Sequence, residues 1–238
     1  RNINDTIRAA DKLNSENTKN MGRVKGYNLD YLNIHKSYNL LNNLENKTIQ
    51  PTFLINNAGA LNIKNMNDIS INTIEILNKV NIIGPTILSK YCIDIINTGK
   101  EKGGILFNTP PYEIDKKTKY LLPYMQTKLA QTTLMRSLAN SNKNKNALIC
   151  GFWTNYPLST NAILSRNIGN IENCMHPNIL AETLEQLIFH TKNNTFYNGE
   201  VIIDEYFLKY KDIDVNKYKM GKNTKKLDDL FINHIKNI

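Results

Sequence analysis

Tyr124 and Lys128 stand four positions apart in LPYMQTKLAQ, residues 121–130, a stretch that reads as a helix. Side chains at i and i+4 of a helix lie one above the other on the same face, so the ammonium can sit beside the phenol. A free phenol ionises at a pH of about 10, too high for proton transfer near neutrality. A neighbouring positive charge favours the phenolate and lowers that value, which is what a general acid/base needs. The spacing permits this chemistry without requiring it, because the chain holds 12 tyrosines and 30 lysines and arginines, and a surface pair at this separation arises easily. A second candidate is the NNAG of Asn56, Asn57, Ala58 and Gly59, which follows the apolar run FLI. Small residues there let a backbone approach a ligand closely.

Such residues act only if regular elements bring them together. RNINDTIRAADKL repeats Ile3, Ile7, Ala10 and Leu13 with Asp5 in its first turn, the pattern of an amphipathic helix. VKGYNLD reads as a short strand, HKSYNLLNNLEN as a helix and TFLINNAGA as a strand ending in small residues. A long helical stretch follows from about Asn72 to Asn97, with a break expected near Gly84 and Pro85. GGILFNT, ALICGFW and GEVIID read as strands. The Tyr124 segment through about Asn140, PNILAETLEQLIFH and KKLDDLFINHI read as helices. Strands alternating with helices of this length imply parallel βαβ units with both sheet faces covered. The expected fold is therefore α/β, a doubly wound Rossmann-type parallel sheet in three α/β/α layers. No internal repeat or Pro/Ser-rich linker divides residues 1–238, which read as one domain. In such folds ligands bind beyond the carboxyl ends of the strands. The chemistry is expected at Asn56–Gly59, at Thr109 with Pro110 and Pro111, and in the loop from Gly151 to Asn161.

Composition narrows the function further. A formal net charge of +9 invites an acidic partner, yet the lysines are scattered through stretches such as SNKNKN and GKNTKK, without an Arg-rich helix or interleaved aromatics. That distribution reads as a solvated surface, so no nucleic-acid partner is expected. Cys92, Cys150 and Cys174 have neither paired nor metal-type spacing, and His35, His176, His190 and His234 form no cluster. Neither a disulfide framework nor a metal site is expected, and a reducing compartment such as the cytoplasm fits the free thiols. No apolar run reaches the roughly 18 residues of a membrane span. The chain begins with Arg1, so a targeting or membrane segment before it stays open.

In their order and spacing, NNAG, the Val80–Asn81 of LNKVNIIGP and the YxxxK pair Tyr124 and Lys128 resemble the short-chain dehydrogenase/reductase family. Arg1 and Asn2 resemble the end of its second strand, Asp30 the acidic residue after its third, and GEVIID its last strand. RN before the first helix and PYMQTKLAQTTLMRSLA look most like the retinol-dehydrogenase-like branch. The resemblance implies an NADP- or NAD-dependent oxidoreductase acting on a small-molecule carbonyl or alcohol, lipophilic if that branch holds. Tyr124 is then the general acid/base. Lys128 tunes the phenol and holds the nicotinamide ribose, and Asn81 anchors a proton-relaying water. Asn56, Ala58 and Gly59 are implied cofactor contacts, Asp30 lies near the adenine unless it only caps a helix, and Thr160 serves the nicotinamide carboxamide. Arg1, whose guanidinium forks onto phosphate, favours NADP over NAD. Self-association through the Tyr124 helix and the long helix before it is also implied.

Two features depart from the family pattern. The hydroxyl donor, a serine at the end of the fifth strand, aligns with Pro110, so Thr109 takes the role only if the strand end shifts by one residue. Trp153 and Tyr156, in the loop GFWTNYPLSTN, are candidates for the substrate pocket or for core packing. The glycine-rich phosphate loop does not occur in this sequence, and the resemblance implies that the 238 residues are a fragment of a longer protein, with the first strand missing. This chain alone is accordingly expected to be poorly soluble and to show no saturable NADPH binding. A fluorescence titration returning a sub-micromolar affinity would refute that expectation.

Overall fold

The structure, a computed structural model, describes residues 3–16, 22–64, 66–111, 122–142, 146–161, 170–191, 197–222 and 224. They fall into two compact units, Arg1–Gln50 and Pro51–Ile238. In the first unit, α1 (Ile3–Glu16) carries Asp5 in its opening turn, where Arg8 donates to it at 2.9 Å. A 3-10 turn over Ile34–Ser37 leads into α2 (Tyr38–Glu45). The strand expected at VKGYNLD does not form. The Asn14 side-chain amide takes both the N–H and the C=O of Val24, at 2.8 and 2.9 Å, and the Asp30 N–H donates to Ser37 Oγ at 2.9 Å. Side chains here satisfy backbone groups that a neighbouring strand would otherwise pair.

The second unit is built on a parallel sheet in the order β1 (Phe53–Asn56), β2 (Gly104–Asn108), β3 (Leu148–Trp153), β4 (Val201–Ile203). The crossovers carry α3 (Ile71–Asn78), α4 (Gly84–Thr98), α5 (Leu122–Ser141) and α6 (Asn178–Thr191), and α7 (Asp204–Tyr210) follows β4. β3 is buried at every position, as a central parallel strand must be. Its Leu148, Cys150 and Phe152 join Leu106 of β2 and Ile179 and Leu187 of α6 in one cluster. Gly151 and Trp153 turn to the other face, against Met135 and Met125 of α5. Asn56, Phe107 and Gly151 are register partners, and Asn56 reaches Ser89 of α4, so α4 and α5 share that face. Helices therefore cover both sides of the sheet, the doubly wound arrangement that the alternation implies. The terminal helix expected at KKLDDLFINHI lies outside the described residues.

The long helical stretch before β2 runs from Ile71 to Thr98, and Ser70 caps its start by accepting from the Thr73 N–H. Its irregularity is a π turn over Lys79–Ile83, directly before Gly84–Pro85. Pro85 has no N–H for the carbonyl four residues back, that of Asn81, and its ring crowds the preceding turn. Widening the turn relieves this, and Gly84 N–H bonds instead to the Lys79 carbonyl five residues back. At the start of β2 the chains are pressed close: a Cβ on Gly103 would lie 1.9 Å from the Thr52 carbonyl oxygen.

The far end of β2 is joined to α5 by two buried threonines. Thr109 continues the ladder through its N–H to Phe152 O at 3.2 Å. Its hydroxyl lies 2.9 Å from the Lys128 carbonyl and 2.7 Å from Thr132 Oγ1, and Thr132 donates to Pro110 O at 2.7 Å. Thr109→Val keeps the shape and removes a buried hydroxyl that bonds α5, at a cost of about 0.5–1.5 kcal/mol for the lost hydrogen bond. Urea unfolding of this variant should show a lower midpoint with an unchanged slope; an unchanged midpoint would show that the joint contributes nothing.

Candidate active site

The parallel register places the ends of β1, β2 and β3 side by side, and the loops that leave them meet at one sheet edge. The loop after β1 exposes Asn57, Ala58 and Gly59. Asn81, inside the π turn, holds this loop: its Oδ1 accepts from the Ala60 N–H at 2.8 Å and its Nδ2 donates to the Ala60 C=O at 2.9 Å. The second Nδ2 hydrogen goes to Thr127 Oγ1 at 2.9 Å, and Thr127 donates in turn to the Tyr124 carbonyl at 2.7 Å. The side-chain amide of Asn81, 0% exposed, thus links the loop to the turn of α5 that carries the tyrosine. Asn108 adds a second tie, donating to Asn57 Oδ1 at 2.8 Å.

Lys128 points inward from α5 and is only 4% exposed. Its Nζ donates to the Asn108 carbonyl at 2.5 Å and to Gln131 Oε1 at 3.2 Å, and it lies 5.5 Å from the Trp153 ring centroid. Both acceptors are neutral, so burial dominates and pulls the ammonium down to about 7. A Cβ on Gly59 would lie 3.6 Å from Asn81 Oδ1 and 3.9 Å from Lys128 Nζ, so the small-residue loop opens directly onto these two side chains. Tyr124, four residues before Lys128, is half-buried and packs against the cluster of Met125, Trp153 and Ile203. Trp153 therefore touches the surroundings of both members of the pair.

Asn56 is buried and donates to Ser89 at 3.3 Å, steadying β1 on α4 rather than lining the open face, and its Oδ1 has no protein partner among the described residues. Thr109 is 0% exposed, and both contacts of its hydroxyl are with α5. This geometry makes it part of the β2–α5 joint. Thr160 is half-buried in the loop after β3, where Leu158 bridges to Met175. Trp153 and Tyr156 are both buried in the core. Asp30, in the first unit, accepts from the Leu32 N–H at 3.0 Å and so caps a local turn. Arg1 lies outside the described residues. The residues missed from sequence are Asn108, Thr127 and Gln131. Gln131 follows Lys128 by three positions and was findable from helical spacing alone, whereas the acceptor role of Asn108 is played by its backbone and leaves no mark in residue type.

Cys92, Cys150 and Cys174 are free and buried, and burial pushes the first two thiols up to about 11 and about 12. Among the described residues no group of three or more His, Cys, Asp or Glu is placed to hold a metal ion, and no helix is long and apolar enough to cross a membrane.

The chain is similar to known proteins. Hydroxysteroid dehydrogenase-like protein 2 of Xenopus laevis is 24% identical over 182 residues, 75% of this chain and 42% of that protein, so the chain spans less than half the length of this relative. The mouse protein of the same name is 25% identical, with 36% of its length covered. Among solved structures, a short chain dehydrogenase of Mycobacterium thermoresistibile superposes with a TM-score of 0.81 at 17% identity, over 96% of this chain and 80% of that one. 4-Hydroxyisoleucine dehydrogenase complexed with NADH gives 0.62 at 21% identity, over 79% and 82%. Residues 2–157, which contain the pinned loop, the π turn and the Tyr124 helix, match the family model described as short chain dehydrogenase, and the chain belongs to that family.

Proposed function

We propose that the protein is an NADP-dependent oxidoreductase that reduces a carbonyl or oxidises an alcohol, with Tyr124 as its general acid/base. The observation that carries this reading is the Asn81 linkage, which sets an exposed small-residue loop beside a buried lysine on the tyrosine's own helix. Those residues suit a nicotinamide nucleotide. The backbone of Asn57, Ala58 and Gly59 allows close approach, and the Lys128 ammonium, having given two N–H groups to Asn108 and Gln131, keeps a third for a ribose oxygen. When bound, the nicotinamide donates or accepts the hydride.

The protein's own groups handle the proton. Tyr124 gives its phenolic proton to the carbonyl oxygen during reduction, and takes one from the alcohol during oxidation. Charged Lys128 stabilises the phenolate that remains, and its depressed value near neutrality lets it also take up or release a proton in turn. Asn81 keeps the loop and the tyrosine's turn in fixed relation. With the Thr109 hydroxyl committed to α5, Tyr124 is left to polarise the carbonyl. Ala58 and Gly59 serve the adenosine-side ribose and Thr160 the carboxamide, with Asn56 holding the start of their loop on α4. The guanidinium of Arg1 favours NADP over NAD. The resemblance to the retinol-dehydrogenase-like branch supports a lipophilic substrate, and the similarity to proteins named hydroxysteroid dehydrogenase-like is in keeping with it.

The reading is tested in the full-length protein by following NADPH consumption against a panel of aldehydes and ketones. Tyr124→Phe should lower kcat/KM by about 10²-fold or more, the usual size of general acid–base catalysis; wild-type rates in the variant would remove Tyr124 from the reaction. Lys128 also leaves a mark on stability. Its value falls from 10.5 to about 7 on folding, so between these limits the unfolded chain holds a proton that the native chain has released. Stability should therefore rise with pH across that window. In Lys128→Met this rise should disappear, and denaturant midpoints measured at several pH values would show it; a slope retained in the variant would mean that Lys128 is not the group responsible.

A further inference from the structure

Asp204 and Glu205 are consecutive carboxylates, 0% and 2% exposed, at the carboxyl end of β4 where α7 begins. Ile203 is the register partner of Trp153, so the two acids lie beside the turn that follows β3. Asp204 Oδ1 accepts from the Asn155 N–H at 2.9 Å and from the Glu205 N–H at 2.6 Å. One Glu205 oxygen accepts from Asn155 Nδ2, and the other from Lys209 Nζ at 2.6 Å. The Tyr156 phenol is hydrogen-bonded to the Glu205 carboxylate. Asn155, itself buried, is thus held through its backbone by one acid and through its side chain by the other. Thr154 closes the turn locally, donating to Tyr156 O at 2.8 Å and accepting from the Tyr156 N–H at 3.2 Å.

Burying two adjacent carboxylates is costly, and apolar side chains would pack the site at lower cost. Their position supplies a reason to keep them. The gripped turn starts immediately after Trp153, which packs on the Tyr124 cluster and faces Lys128, and it leads to Thr160. We propose that Asp204 and Glu205 are positioning residues, a carboxylate clamp that fixes the turn after β3 and with it Trp153 against the Tyr124–Lys128 pair. The part of this that concerns turnover rests on the oxidoreductase reading; the clamp itself does not.

The clamp responds to pH. Burial pushes the Asp204 carboxyl up to about 6, opposed by the Asn155 and Glu205 N–H groups and reinforced by the Glu205 charge. The other titratable groups around this pair are the Tyr156 phenol, pushed up to about 12 mainly by burial and then by Glu205, together with Tyr206 and Lys209 of α7. Between 3.8 and about 6 the native chain keeps a proton that the unfolded chain has released, so ionising Asp204 lowers stability as pH rises through that window. Below about 6 the acid is neutral and becomes a weaker acceptor for Asn155.

The test is an NMR pH titration of the Asn155 backbone amide in the full-length protein, paired with kcat and cofactor KM. In wild type this amide should titrate near pH 6, and in Asp204→Asn it should stay flat. Asp204→Ala should raise cofactor KM about tenfold and speed exchange of the Asn155 amide about tenfold. Asp204→Asn, which keeps an acceptor, should recover most of both losses at neutral pH. A flat Asn155 amide in wild type, or the same titration in Asp204→Asn, overturns the clamp, and this arm decides even if Asp204→Ala fails to fold. A titrating amide in a protein without turnover leaves the clamp standing and removes the oxidoreductase reading.

Discussion

The buried amide of Asn81 is the constraint on which the site depends. An amide left unpaired in the interior costs about 1–3 kcal/mol. Asn81 avoids that cost only while Ala60 and Thr127 keep their places, because it bonds both backbone groups of one and the hydroxyl of the other. Its presentation depends on the π turn, which in turn follows from Pro85. A residue four positions downstream thus shapes the turn from which Asn81 reaches the loop after β1.

Two buried ionisable groups flank the same sheet edge, and opposite means keep them there. Lys128 meets only neutral acceptors, and its charge is weakened by desolvation toward the pH at which it would work. Asp204 takes two backbone N–H groups on its Oδ1 while its Oδ2 has no hydrogen-bond partner among the described residues, and Glu205 beside it is held by Asn155 and Lys209. Trp153 lies between the two, its ring facing Lys128 and its main chain running into the turn that the acids grip. Each arrangement gives up stability in one pH range, Lys128 when it must be charged and Asp204 when it is ionised.

Much of this was legible in the chain. Strand–helix alternation placed all four strands of the sheet and the helices between them, because a parallel strand covered on both faces must be a short apolar run. The irregularity of the long helix was legible from Gly84 and Pro85, and the π turn ends directly before them. The strand read at Val24–Asp30 failed for a local reason, since β-like composition is decided by who pairs with the backbone, and here it is the Asn14 side chain. Thr109 was found as a hydroxyl at a strand end, but residue type says nothing about which way a hydroxyl turns, and α5 offers it a carbonyl and a second threonine.

The sequence by itself determined the fold class, the family and the chemical types present: a phenol, an amine, an amide and a small-residue loop at spacings that periodicity can read. Only the tertiary structure decided how they are used. It buried Lys128 against a backbone carbonyl, turned the Thr109 hydroxyl toward α5, and brought Asp204 and Glu205 to Asn155 from some fifty residues away. Burial, hydroxyl direction and long-range pairing depend on register between distant segments, and that register is set by packing the sheet.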